Sequence, residues 1–157
     1  MKNIGLFLIA ALVTASCGQR TIRDNGWEQA SQDIIIESPA RDGVFIHITE
    51  GYDDPYRVLM ALKMASIMSE DKDVIVYLDI DAVEILVKGA EDLSLADFES
   101  AHTYIGQLTD HNVGVFACPT CLNIAGFTPD DLMDGVEVAE KELFFNFTEG
   151  RIITIDY

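Results

Sequence analysis

The sequence predicts an α/β sandwich built on a mainly parallel sheet. Two observations carry this. Five short runs rich in β-branched and aromatic residues are separated by stretches with helical spacing or helix-capping signals. Those runs are apolar throughout instead of alternating, the pattern of strands whose sheet is covered on both faces, which implies three layers. The 157 residues suffice for one domain with a sizeable core and are too few for two ordinary ones.

The elements follow in order. Residues 44–48, Val-Phe-Ile-His-Ile, read as the first strand, and the Gly51-Tyr52-Asp53-Asp54-Pro55 stretch breaks it. Asp54 can cap the next helix with Pro55 at its first position, and Val58, Leu59, Leu62, Ala65, Ile67 and Met68 then recur at helical spacing. Residues 74–78, Val-Ile-Val-Tyr-Leu, form the second strand; residues 82–88 form a short helix ended by Gly89. Ser94 and Asp97 resemble a capping box that opens a helix burying Leu95, Phe98, Ala101, Ile105 and Leu108. The third strand is 113–117. Thr128 and Pro129 mark a short turn, 136–138 a fourth strand, 140–147 a helix and 152–155 the last strand.

The first sixteen residues differ from the rest. A weakly basic start precedes an apolar run over residues 4–13, too short to span a bilayer. Thr14-Ala15-Ser16-Cys17 follows, and the whole resembles a bacterial lipoprotein signal, with Thr14 where Leu is usual. This reading makes 1–16 a signal peptide, Cys17 the lipid attachment, 17–42 a tether and 43–157 the domain. It places the protein in the cell envelope of a bacterium, anchored by lipid and facing the periplasm. The triple Ile of residues 34–36 could add an edge strand. The net charge of −17 repels phosphate backbones, which argues against nucleic acid as a partner.

In open parallel sheets, ligands sit at the carboxyl ends of strands. Two segments occupy that place. One holds Thr49, Glu50, Gly51, Tyr52 and Asp54, the expected pocket lining. The other opens with Cys118-Pro119-Thr120-Cys121 directly after the third strand. Export makes this pair the natural site of thiol chemistry, Cys118 at the strand end being the expected nucleophile and Cys121 the resolving thiol. Two buried thiols without a function remain the alternative. Zinc needs four ligands, and His47, His102 and His111 stand alone at no ligand spacing, so no metal and no cofactor is expected. A thioredoxin-like pair fits the local order, but Gly126 and Pro129 leave little room for the long helix that fold requires.

Residues 44–51 (Val-Phe-Ile-His-Ile-Thr-Glu-Gly), Asp53-Asp54-Pro55 and 61–65 (Ala-Leu-Lys-Met-Ala) resemble the opening of the DsrE/DsrF-like family. The far half does too: 113–121, then Gly126, Asp131-Leu132 and Gly135-Val136-Glu137-Val138. The resemblance implies a small flavodoxin-like fold that assembles as homotrimers or hexamers. It also implies sulfur carriage by a cysteine at the position of Cys118, with Cys121 the extra thiol of a C-x-x-C subset. A sulfur donor or acceptor protein, or a small thiol, would be the partner. Cytoplasmic carriers work beside partner proteins, and an exported copy stands outside that relay, which turns the reading toward periplasmic sulfur or thiol redox chemistry. A non-catalytic, oligomeric small-ligand-binding module with structural cysteines is the competing reading.

Overall fold

The computed structural model describes residues 39–157. The signal peptide, Cys17, most of the tether and the triple-Ile segment lie outside the described residues. Five strands form one all-parallel sheet in the order β4-β3-β2-β1-β5: β1 (Gly43–Ile48), β2 (Asp73–Leu78), β3 (Gly114–Ala117), β4 (Val136–Val138) and β5 (Ile152–Asp156).

Helix α1 (Pro55–Met68) links β1 to β2. It starts where the sequence indicates: Asp54 accepts the Arg57 amide, and Pro55 sits at the first position. It buries Val58, Leu59, Ala61, Leu62 and Ala65. Ile67, expected on that face, is 51% exposed. After β2 the chain makes a 3-10 helix, Ile80–Leu86. Helix α2 (Ala101–Asp110) then begins six residues later than the Ser94 signal suggests. Asp97 adopts φ 71°, a left-handed conformation no helix continues through, and Ser100 caps instead, accepting the Thr103 amide at 3.3 Å. Leu95, placed on the helix face by the earlier start, is consequently 38% exposed in a loop. Helix α3 (Pro119–Ile124) follows β3, and the four-residue α4 (Leu143–Asn146) precedes β5, half the length expected there.

Alternate residues of each strand serve opposite faces. One face presents Val44, Ile46, Ile48, Val74, Val76, Leu78, Val115, Ala117 and Val136, all buried in a single cluster with α1 and α2. Each fully buried Ile or Leu contributes about 1.5–3 kcal/mol through removal of apolar surface from water. The other face presents Phe45, His47, Ile75, Tyr77 and Phe116, with Thr154 and Asp156 paired beside Phe45 and His47. The steps from β1 to β4 run one way across the sheet, so right-handed crossovers stack their helices on one side. The return from β4 to β5 reverses direction and brings α4 to the other side, where Phe144 meets Phe45 and Tyr77 edge-on at 5.6 and 5.1 Å. Among the described residues, α4 is the helix on that face. Beside it lies an open groove of about 470 Å³ lined by Phe45, Tyr77, Phe144, Phe145, Ile152 and Thr154.

Candidate functional site at the carboxyl ends of the strands

The C-x-x-C lies where β3 ends. The Cys118 amide still bonds the Leu78 carbonyl, at 2.9 Å, so the residue extends the ladder before the chain turns. Its backbone is extended, which continues the alternation and aims its sulfur to the same side as Phe116 and Tyr77. Cys118 is also the N-cap of α3: its Sγ accepts the Cys121 amide at 3.3 Å. Thiol caps stand outside the usual Ser, Thr, Asp and Asn set, and here the sulfur takes the acceptor role that a side-chain oxygen usually fills.

The two thiols are partly buried, free and adjacent, yet their environments differ. Burial pushes the Cys118 thiol up, but hydrogen bonds from the Cys121 thiol, the Tyr77 hydroxyl and the Cys121 and Thr120 amides outweigh it and leave its pKa lowered. Burial also pushes Cys121 up, and the Cys118 and Asp79 charges add to this; the Ile80 amide alone opposes them. Tyr77 is held far above the ordinary phenol value, first by burial and then by its bond to Cys118 and the nearby Cys118, Asp79 and Cys121 charges. The proton is thus easier to remove from Cys118 than from Cys121.

Two further residues complete the corner. His47 stacks on Tyr77 with ring centroids 5.6 Å apart. Its Nδ1 lies 2.9 Å from Asp156 Oδ1 and its Nε2 lies 3.1 Å from Asp79 Oδ1. The second contact has ion-pair distance without hydrogen-bond alignment, and both atoms are sealed from solvent. Ile80, next to Asp79, takes φ 50°, an unusual conformation for a β-branched residue and a local strain.

The expected lining residues are placed as follows. Gly51 lies against the Asp81 carbonyl, which an added Cβ would approach to 2.9 Å, so this loop and the 3-10 helix after β2 close on each other. The Thr49 hydroxyl donates to the Tyr157 carbonyl and the Tyr52 hydroxyl to the Glu91 carbonyl. Glu50 and Asp54 both pair with Arg57. All five side chains or backbones therefore have local partners, while Tyr77 and Asp79 stand beside Cys118 and Cys121, with His47 behind Asp79 and Asp156 behind His47. Tyr77, Asp79 and Asp156 escaped the sequence reading. The signal that finds them is alternation: counting back by twos from Cys118 and across the ladder marks the residues sharing its face. Among the described residues no group of three or more His, Cys, Asp or Glu is arranged to hold a metal ion, and none of their helices is long and apolar enough to cross a membrane.

A model of the DsrE/DsrF-like family matches residues 42–148. Among solved structures, the chain is similar to the ychN protein from E. coli, at 21% identity and a TM-score of 0.56, covering 73% of this chain and 99% of that one. It is also similar to MTH1491 from Methanobacterium thermoautotrophicum, a protein of unknown function, at 23% identity and a TM-score of 0.51, covering 72% and 98%. These likenesses establish the fold. No curated protein matches the chain in sequence.

Proposed function

The chain belongs to the DsrE/DsrF-like family, and we propose that it is an exported, lipid-anchored member whose Cys118 and Cys121 carry out sulfur transfer or thiol redox chemistry. The observation that supports this most is the asymmetry of the two thiols: Cys118 Sγ receives the Cys121 amide and the Tyr77 hydroxyl, so its thiolate is favoured, while Cys121 stays protonated. Cys118 attacks or carries sulfur. Cys121 then attacks Cys118 Sγ and expels the bound group, leaving a disulfide. The donor or acceptor is a small thiol or a protein thiol. In this reading Cys17 carries the lipid and residues 17–42 tether the domain on the periplasmic side of a bacterial membrane.

The test is alkylation of the reduced full-length protein with iodoacetamide at neutral pH, read by peptide mass spectrometry beside the protein as isolated. Cys118 should react first, and persulfide or disulfide should be found at the pair. If both thiols resist until the protein is unfolded, they are core residues and the reading fails. For the anchor, radioactive palmitate should label the wild type and not Cys17→Ser; an unlabelled wild type removes it.

A second reading is supported by the groove of about 470 Å³ on the thinly covered face, with Phe145 67% exposed at its rim. A non-catalytic module that holds a small apolar ligand there, or a homotrimer or hexamer that closes the face, would use these residues. Sedimentation equilibrium distinguishes the two, since a monomer at micromolar concentration removes the assembly.

A further inference from the structure

His47 lies between two carboxylates. A neutral imidazole has one N–H, and here two acceptors face it, Asp156 Oδ1 at 2.9 Å and Asp79 Oδ1 at 3.1 Å. Whichever tautomer is present, one ring nitrogen then points a lone pair at a carboxylate oxygen. Nε2 and Asp79 Oδ1 are both shut off from solvent and unbonded, a costly arrangement that native structures keep for a reason. One added proton resolves it, by protonating either the ring or Asp79. The cluster is therefore built to accept a proton.

Its position says whose. Asp79 follows Leu78, which pairs with Ala117, so Asp79 and Cys118 are the next residues out on neighbouring strands. The following residue, Ile80, directs its amide at Cys121 from a left-handed backbone. Asp79 is thus fixed between His47 on one side and the cysteine pair on the other. The titratable groups around it are His47 of β1, Tyr77 of β2, Cys118 and Cys121 beyond β3 and, behind His47, Asp156 of β5.

We propose that Asp79, backed by His47 and Asp156, is the base that takes the proton from Cys121 when Cys121 attacks the sulfur bound to Cys118. This rests on the thiol chemistry proposed above and assigns its second step. In the first step the Cys118 thiolate attacks a disulfide R–S–S–R, forming Cys118–S–S–R and releasing one RS⁻. In the second, the Cys121 S–H proton passes to Asp79, directly or through one water. The sulfur attacks Cys118 Sγ, the bond from Sγ to the R-bearing sulfur breaks, and a second RS⁻ leaves, to be protonated from the cluster or solvent. The dithiol loses two electrons and the substrate disulfide gains them. The same proton must move when the group on Cys118 is a persulfide sulfur, which leaves as hydrosulfide. The first step is assigned no base, because the Cys121 amide bonded to Cys118 Sγ and the nearby Tyr77 hydroxyl already lower the Cys118 pKa.

The experiment uses full-length protein with Cys17→Ser, reduced, mixed with one equivalent of dithiodipyridine in a stopped-flow instrument. Each step releases one chromophoric thiopyridone, so the two rates separate. Asp79→Asn should leave the first release within about twofold and slow the second on the order of a hundredfold, the lower end of a positioned base's contribution. The second release should rise more steeply with pH in Asp79→Asn than in the wild type, because without the carboxylate the attacking thiolate must come from deprotonation of Cys121 by solvent. His47→Gln and Asp156→Asn should each slow the second release by less; these two carry the test if Asp79→Asn does not fold, as judged by circular dichroism. An unchanged second release in the folded variants overturns the proposal, as does equal slowing of both releases. A wild type with no first release overturns instead the thiol chemistry on which the proposal rests.

Discussion

The two faces of the sheet are made by the same strands, from alternate residues of each, and they have little else in common. The face under α1 and α2 is aliphatic: Val44, Ile46, Ile48, Val74, Val76, Leu78 and Val115 are at most 7% exposed, and no polar side chain interrupts them. The face under α4 is aromatic and polar, with Phe45, His47, Tyr77 and Phe116 leading to Asp79 and Cys118 at the strand ends. Close packing on one side holds the strands rigidly in register. That rigidity lets single side chains on the other side be placed to within hydrogen-bond distance of a sulfur. Stability and chemistry are thus separated by a single residue step along the chain.

The strongest way to break this comparison is to truncate neighbours that point opposite ways. Ile46→Ala opens a cavity in the aliphatic face and should cost about 2–5 kcal/mol. Phe45→Ala, next to it on the groove side, removes a larger side chain but should cost no more than about 2 kcal/mol, since the site is half open. Urea unfolding with unchanged slope measures both. Equal losses would mean that both faces are core.

Tyr77→Phe sharpens the contrast, because it alters the chemical face and leaves the other alone. Loss of the hydroxyl should raise the Cys118 pKa and slow its alkylation at neutral pH about 2–10-fold, the equivalent of a hydrogen bond worth about 0.5–1.5 kcal/mol. It also has a signature in alkali. An unfolded tyrosine ionises near 10.0, and folded Tyr77 ionises above that. In that window the native state holds the proton longer, so unfolding releases it and stability falls as pH rises. The fall should be shallower in Tyr77→Phe, as read from urea midpoints across the window. The same slope in both proteins would show that the phenol is not held as described.

The smallest expected effect is at Ile80. Glycine relieves the left-handed backbone of a β-branched residue, against its own greater freedom when unfolded, so Ile80→Gly should stabilise by roughly 0.5–1 kcal/mol. The Ile80 amide survives the change, and Cys121 reactivity should stay within about twofold. A loss of stability would show that the side chain matters more than the strain.

The strands and α1 were legible because their signals are redundant: β-branched runs between Gly and Pro, and Asp54 with Pro55 ahead of a spaced apolar stripe. The start of α2 was not, because Ser94 and Ser100 both offer a cap and the choice depends on Asp97 turning left-handed. Helix α3 was hidden because its cap is a cysteine. At the site, the cysteine pair is a local motif and can be read as one. Tyr77 looks like one more apolar strand residue, and Asp79 and Asp156 like scattered surface acids. Their role exists only once β1, β2, β3 and β5 lie side by side, and the pairing order of strands is not written in any local pattern.

That order has a consequence for how the protein comes together. The His47 contact to Asp156 spans 109 residues, and β1 gains its second neighbour only when β5 arrives. Until then β1, an interior strand of the finished sheet, is a bare edge, with backbone donors and acceptors free to pair with another chain. Contacts this distant form late and slowly, and the growing chain is open to aggregation while they are missing. The last strand is therefore a latch: its docking ends that exposure, and by delivering Asp156 to His47 it links completion of the sheet to completion of the corner around the cysteines.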